Sequence, residues 1–170
     1  IFKRHKIVPN KLRRYKYVNS NPQPSRKDPV LQFGHKRSLS LTPVKSWKGI
    51  NYSTQIGVPP DPSGAAGLNH YVQMVNTAMQ VFDKNGNSLW GPTSLSSVFP
   101  GSDNEGDPIV LYDQFADRWF ISQFQESGNK MLIAISKTND PLGAWYYYDY
   151  AFDEFPDYPK FSIWGDGYYM

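Results

Sequence analysis

The sequence predicts an all-β fold. It reads as propeller-like blades of antiparallel four-stranded sheets, about two of them and the start of a third over residues 50–170, behind an irregular basic arm over residues 1–49. Three observations predict it. An outline recurs along the chain: an acid beside a proline (Asp61-Pro62, Asp107-Pro108, Asp157-Tyr158-Pro159), then a short strand, a turn and an aromatic-led strand. The three acids are spaced 46 and 50 residues apart, and the aromatics Tyr71, Trp119 and Tyr168 are spaced 48 and 49 apart. A period of about 40–50 residues with several short strands in each is what a propeller blade requires, because one small sheet cannot bury both of its faces alone. Fourteen prolines and thirteen glycines also leave few places for a long helix. The runs between the breaks are β-branched, aliphatic or aromatic, the residues that suit a pleated, half-buried surface.

The elements follow in order. Residues 1–47 show no sustained period and are broken by Pro9, Pro22, Pro24 and Pro29, so they read as an extended arm or linker. Ile50–Pro60 is a candidate strand entering the first repeat. The small residues Ser63–Gly67 allow a tight backbone path. Tyr71–Val75 and Met79–Phe82 read as strands around Asn76-Thr77. Asp83–Asn87, with Asn85-Gly86 inside it, signals a hairpin because Asn-Gly readily adopts positive φ. Leu89-Trp90 continues the return strand, and Pro92–Gly106 reads as a linking loop. The organising stretch is Asp107–Phe124: a strand over Ile109–Tyr112, a polar turn over Asp113–Asp117 and a strand led by Trp119. Gly128-Asn129 turns the chain into Met131–Ser136, Asn139–Gly143 turns it again, and Trp145–Tyr150 (WYYYDY) closes a four-stranded unit over Asp107–Phe152. Phe161–Trp164, Gly165–Gly167 and Tyr168–Met170 begin the next.

Composition bounds the chemistry. With 170 residues the chain is one domain, or one domain plus an extension. The absence of cysteine excludes disulfides, thiolate metal sites and a cysteine nucleophile. No apolar run approaches the roughly 20 residues of a membrane helix. The chain starts at Ile1 rather than Met, which fits removal of an upstream segment such as a signal peptide. The net charge of +3 hides a division. Residues 1–50 hold thirteen Lys or Arg against Asp28 alone, and residues 51–170 hold five against fourteen acids, giving +12 and −9. Two such halves attract each other, or attract different partners. The basic residues with Tyr15, Tyr17 and Phe33 would suit phosphate and base contacts, but no recognition helix, glycine-clamped loop or zinc spacing points to nucleic acid.

Several residues carry candidate chemistry. Asp83, Asn85 and Asn87 place oxygens at every second position, as calcium loops do, although position twelve from Asp83 is Ser94 and not the usual Glu. A hairpin turn explains the same pattern. If Asp61, Asp107 and Asp157 occupy equivalent places, they converge at one end of the repeat axis, where they would hold calcium or a cationic ligand; otherwise each caps a turn. Trp145, Tyr146, Tyr147, Tyr148 and Asp149 form a sugar-binding candidate, because aromatic faces stack on sugar rings and Asp accepts hydroxyl protons. Strand alternation gives these residues two faces, one exposed and one packed between blades. Asp113, Asp117, Asp153, Glu154 and Asp166 could supply the paired carboxylates of glycoside hydrolysis, yet no spacing singles out an acid and a nucleophile. His70 has no nucleophile motif near it and reads as structural. Arg118 reads as the partner of a neighbouring Asp.

Four stretches, GVPPDPSGAAGLNHYVQMVNTAMQVFDKNGN, GDPIVLYDQFADRWFISQF, AISKTNDPLGAWYYYDY and FPDYPKFSIWGDGYYM, together resemble a family of large secreted bacterial proteins. These are β-propellers of Bacteroidetes-type and other environmental bacteria, often joined to immunoglobulin-like or sorting domains. The resemblance covers about residues 56–170, leaves the basic arm without a counterpart, and is to the N-terminal part of longer proteins. It implies a secreted or cell-surface location and further blades, from the same longer chain or another chain, to complete the structure. It brings no settled activity with it. The sequence therefore favours an extracellular binding or adhesion module for glycan or protein, with calcium as a candidate ion. The alternatives are a polysaccharide hydrolase or lyase whose site lies in other blades, and an assembly component docking through its basic arm.

Overall fold

The computed structural model describes residues 42–51 and 57–170; the basic arm before residue 42, and residues 52–56 of the expected entry strand, lie outside the described residues. Ten strands account for the architecture. β1 (Ser63–Ala66), β2 (His70–Val75), β3 (Ala78–Asp83) and β4 (Ser88–Ser94) form one antiparallel sheet in sequence order. After a one-turn helix, α1 (Leu95–Val98), β5 (Ile109–Asp113), β6 (Arg118–Gln125), β7 (Lys130–Ser136) and β8 (Trp145–Ala151) form a second sheet of the same order. β9 (Ser162–Trp164) and β10 (Gly167–Tyr169) form a two-stranded hairpin. The described residues are thus all-β but for that one helical turn, with two four-stranded meanders and no closed sheet among them.

Most of the expected strands and turns are found. Three are corrected. Ser63–Ala66 is a strand, because its small side chains let it pair closely with Ala66 opposite Tyr71 and Ser63 opposite Met74. The stretch from Pro92 is not all loop. β4 runs through Pro92 to Ser94, and Leu95 and Val98 then turn helically so that both bury, with Phe99, against the sheets. Ile50, Asn51 and residues 57–60 are not in a strand.

Period-two alternation decides how the sheets meet. Val72, Met74, Met79 and Val81 project from one face of the first sheet, and Val110, Trp119, Ile121 and Ala134 from one face of the second. Together with Leu95, Val98 and Phe99 they make one buried cluster, and this apolar interface is the main source of stability. The first sheet's other face is covered by the chain that precedes it: Trp47 packs edge-on against Tyr71 with centroids 5.8 Å apart and lies 6.1 Å from Phe82, and Ile50 N donates to Gln73 Oε1 at 2.9 Å. The end of the expected arm is therefore a cover for the first sheet.

The second sheet's other face carries Phe120, Met131, Ile133 and Ile135 with Tyr146, Tyr148 and Tyr150. The β9–β10 hairpin covers part of it: Phe120 packs against Phe161 at 4.9 Å and Tyr168 at 5.4 Å. Tyr168 also donates to Asp113 Oδ2 at 2.6 Å, and Asp113 Oδ1 accepts from the N–H groups of Phe115 and Ala116. Burial pushes the Asp113 carboxyl up, but the Tyr168 hydroxyl, the two amides and Arg118 outweigh it and hold it below the usual 3.8. A depressed carboxyl adds stability above its unfolded value and loses it as pH falls through the folded one. Urea midpoints should accordingly drop between about pH 5 and pH 2, and Asp113→Asn should flatten that drop; an unchanged pH slope in the variant would count against this account. Arg118 does not pair as expected, since Lys130–Asp149 is the only ion pair among the described residues.

Candidate functional site

The first candidate region is the set of turns before β1, β5 and β9. Asp61 (φ 33°), Asp107 (φ 48°) and Tyr158 (φ 49°) each precede a proline with positive φ, a conformation uncommon outside glycine. The repeated position is therefore 61, 107 and 158, and Asp157 is one residue out of step with the acids that its sequence context suggested. The turns do converge. Asp61, Asp107, Tyr158 and Lys160 line one cleft of about 160 Å³, and Lys160 Nζ lies 3.4 Å from the centre of the Tyr158 ring. Burial and the nearby charge of Asp61, with a smaller contribution from Asp157, push the Asp107 carboxyl up.

Asn76 ties this region together. Its side-chain amide donates to Pro59 O (2.9 Å) and Asp61 Oδ2 (2.8 Å), and its Oδ1 accepts from Asp107 N (2.7 Å). One Asp61 oxygen is thereby committed to the protein. Among the described residues no three His, Cys, Asp or Glu side chains are placed to hold a metal ion. The Asp83 turn is likewise self-contained. Oδ1 accepts from Asn85 N and Asn87 N, and Oδ2 accepts from Asn87 Nδ2, so the Asp-x-Asn-x-Asn spacing is met by a hydrogen-bonded hairpin. These donor sets do not fit a calcium cage, which needs about six to eight oxygens around one point.

Two of the carboxylates that could have supplied hydrolysis, Asp113 and Asp117, are engaged structurally. Asp113 holds its turn and Tyr168, as above. Asp117 accepts from the Tyr112 hydroxyl and from Asn139 Nδ2 (2.7 Å). That contact, after burial, pushes the Tyr112 phenol up to about 12. Neither acid faces a second carboxyl across a cleft. His70 opens β2 and makes no catalytic pairing with a nucleophile; its backbone O accepts from Gly67 N at 3.0 Å.

The second region is β8, where the expectation of one exposed and one packed face is not met. Trp145, Tyr147 and Asp149 point toward the seam between the two four-stranded sheets, and Tyr146, Tyr148 and Tyr150 point the other way. Every residue of the strand except Trp145 is exposed. On the seam side Tyr147 stacks edge-on against buried Phe99 with centroids 6.5 Å apart. Beside it lies a cleft of about 220 Å³ floored by Leu132 and rimmed by Ser102, Gln125, Lys130 and Asp149. Lys130 Nζ meets Asp149 Oδ2 at 2.9 Å, a diagonal cross-strand pair that lowers the Asp149 carboxyl. Farther along the seam Trp90, Leu142 and Trp145 line a second, more apolar cleft of about 320 Å³. Tyr147 and Asp149, singled out in the sequence, line the first cleft and Trp145 the second; Phe99, Ser102, Gln125 and Lys130 join them from other segments and carry no local signal of the cleft.

Comparison with protein families, with curated proteins and with solved structures finds no match to this chain.

Proposed function

We propose that the chain belongs to an extracellular, propeller-type binding module of a secreted or cell-surface bacterial protein, holding glycan or protein rather than transforming it. The observation that carries this reading is the exposed aromatic strand β8, which presents tyrosines to both sides, while Asp113, Asp117 and Asp149 are held in a turn, in side-chain hydrogen bonds and in an ion pair.

The propeller part rests on a repeated interlock. Trp119 of the second sheet lies over Gly67, where the first sheet turns from β1 to β2. Tyr168 of the third unit bonds Asp113 at the corresponding end of β5. The inner strands also follow one another, with Val110 N donating to Ser63 Oγ at 3.0 Å. Among the described residues the third unit has two strands, and Tyr148, Tyr150 and half-buried Ile133 and Ile135 lie beyond their cover. On the other side of the same sheet, Leu132 and Ala134 are buried by the first sheet and α1. Two more strands beside β10, from the same polypeptide or another chain, would bury the open face in the same way. No helix among the described residues is long and apolar enough to cross a membrane.

Arrays of glycans and of extracellular proteins, probed with the complete protein in folded form, test the reading. At least one class should be retained unaltered. Blank arrays, or release of a defined sugar product, would remove it.

A further inference from the structure

Resting on the binding-module reading, we infer that the cleft beside Tyr147 is a subsite for a single neutral pyranose unit. Its size comes first. About 220 Å³ is below the range of roughly 300–1,000 Å³ typical of pockets for drug-sized ligands, and suits one ring with its hydroxyls. Its walls come next. Leu132 is almost fully buried at the floor, and the exposed Tyr147 ring is held by Phe99 beneath it, so a flat apolar surface is ready before anything binds. The loop carrying Ser102 is also fixed: Gln123, fully buried, donates through Nε2 to Ser102 Oγ and Asp103 O, both at 3.1 Å, and Ser102 Oγ donates to Phe99 O at 2.8 Å. A wall built this way needs little ordering on binding, which is where weak ligands lose most affinity.

The rim decides the class. Asp149 only accepts, Lys130 only donates, and Gln125 does both. A sugar hydroxyl donates and accepts at once, so neighbouring hydroxyls can bridge an acceptor and a donor placed side by side. The ammonium and carboxylate are 2.9 Å apart and neutralise each other. An anionic or cationic ligand would meet one group of like sign at the distance of the attractive one, and so gains little from charge. The opposite face of β8 offers no such rim: Tyr148 and Tyr150 lie there among Phe120, Met131, Ile133 and Ile135.

The test titrates the intact chain separately with methyl glycosides of glucose, galactose and mannose, following backbone amide shifts by NMR. At least one should move resonances of Phe99–Ser102, Lys130 and Tyr147–Asp149 together, with an affinity that does not change as salt is raised. Tyr147→Ala should weaken binding about tenfold or more, and Asp149→Asn should weaken it by several-fold. Tyr147→Phe, which keeps the ring, guards against a folding artefact and should retain most of the affinity. Tyr150→Ala, on the other face and outside the cleft, should leave it unchanged. Binding that survives both Tyr147→Ala and Asp149→Asn overturns the inference, as does an affinity that falls steeply with salt. If the glycan arrays are positive but these resonances stay still, the subsite is wrong and the binding reading stands. If both are silent, both fail.

Discussion

Trp119→Ala is expected to remove a large part of the stability of the two-sheet unit. The Trp119 side chain is fully buried where the sheets meet, stacks on Tyr112 at 4.9 Å and donates from Nε1 to Asn139 O at 2.9 Å. Truncating a buried Trp costs about 3–5 kcal/mol in transfer and cavity energy. A domain of this kind has only about 5–15 kcal/mol in total. The indole also explains Gly67. A Cβ there would come 2.7 Å from Trp119 Cζ2 and 2.8 Å from Tyr112 Cε2, so the glycine is required by the aromatic pair of the next sheet. Gly67→Ala alone should therefore destabilise by about 1–3 kcal/mol, the range for overpacking. In the Trp119→Ala background the same change should cost less, because one of the two obstructing rings is gone and Tyr112 has room to shift into the space it leaves. Urea unfolding of the two single variants and the double variant gives the coupling directly. Additive effects would show that Gly67 and Trp119 do not meet across this interface.

Gly67 and Trp119 show how far the sequence could be read. The spacing of Tyr71, Trp119 and Tyr168 was visible as a period, because each begins a strand after a turn and local turn chemistry is written locally. The partner of each aromatic was not visible, because Gly67 looks like any turn glycine until the second sheet is laid on it. The Pro92–Gly106 stretch failed for a related reason. Its Ser, Gly and acid content resembles a loop, yet Leu95, Val98 and Phe99 stand at helical spacing and fill the gap between sheets. That apolar triplet was the signal available. β8 was legible as an aromatic strand, but the assignment of its faces needed the pairing of Leu132 with Asp149 and Ala134 with Tyr147. Lys130, Gln125 and Phe99 reach the same cleft from three different segments, and no window of sequence contains them together. The one-residue slip at Asp157 arose because composition marks a turn, whereas backbone conformation picks the residue next to proline, here Tyr158.

Asn76 is the residue whose importance composition hides most completely, and Asn76→Asp should expose it. The amide is nearly buried, donates to Pro59 O and Asp61 Oδ2, and accepts from the Asp107 amide. The substitution keeps the shape and replaces the donor by an acceptor. At neutral pH the introduced carboxylate would face a carbonyl and the Asp61 carboxylate, with Asp107 and Asp157 close by. Leaving such groups buried and unpaired costs at least about 2 kcal/mol. Asp107 already shows the direction of the field here, its carboxyl being raised by burial and by Asp61. The introduced carboxyl should be raised for the same reasons. A raised carboxyl is more costly to ionise folded than unfolded, so its stability is greatest below the unfolded value near 3.9 and is lost as pH climbs through the folded value. When protonated it can donate again to Pro59 O or Asp61 Oδ2. The variant should therefore be strongly destabilised at about pH 7 and recover toward the parent chain as pH falls toward about 4. Asn76→Ala should be destabilised at both. Thermal or urea unfolding across that range separates the two patterns. Parallel loss for the two variants at every pH would mean that Asn76 acts by filling space. Recovery confined to Asn76→Asp would identify the amide donor, shared between Pro59 O and Asp61 Oδ2, as what fixes Asn76 to the turn before β1, while its Oδ1 reaches Asp107 N of the next repeat.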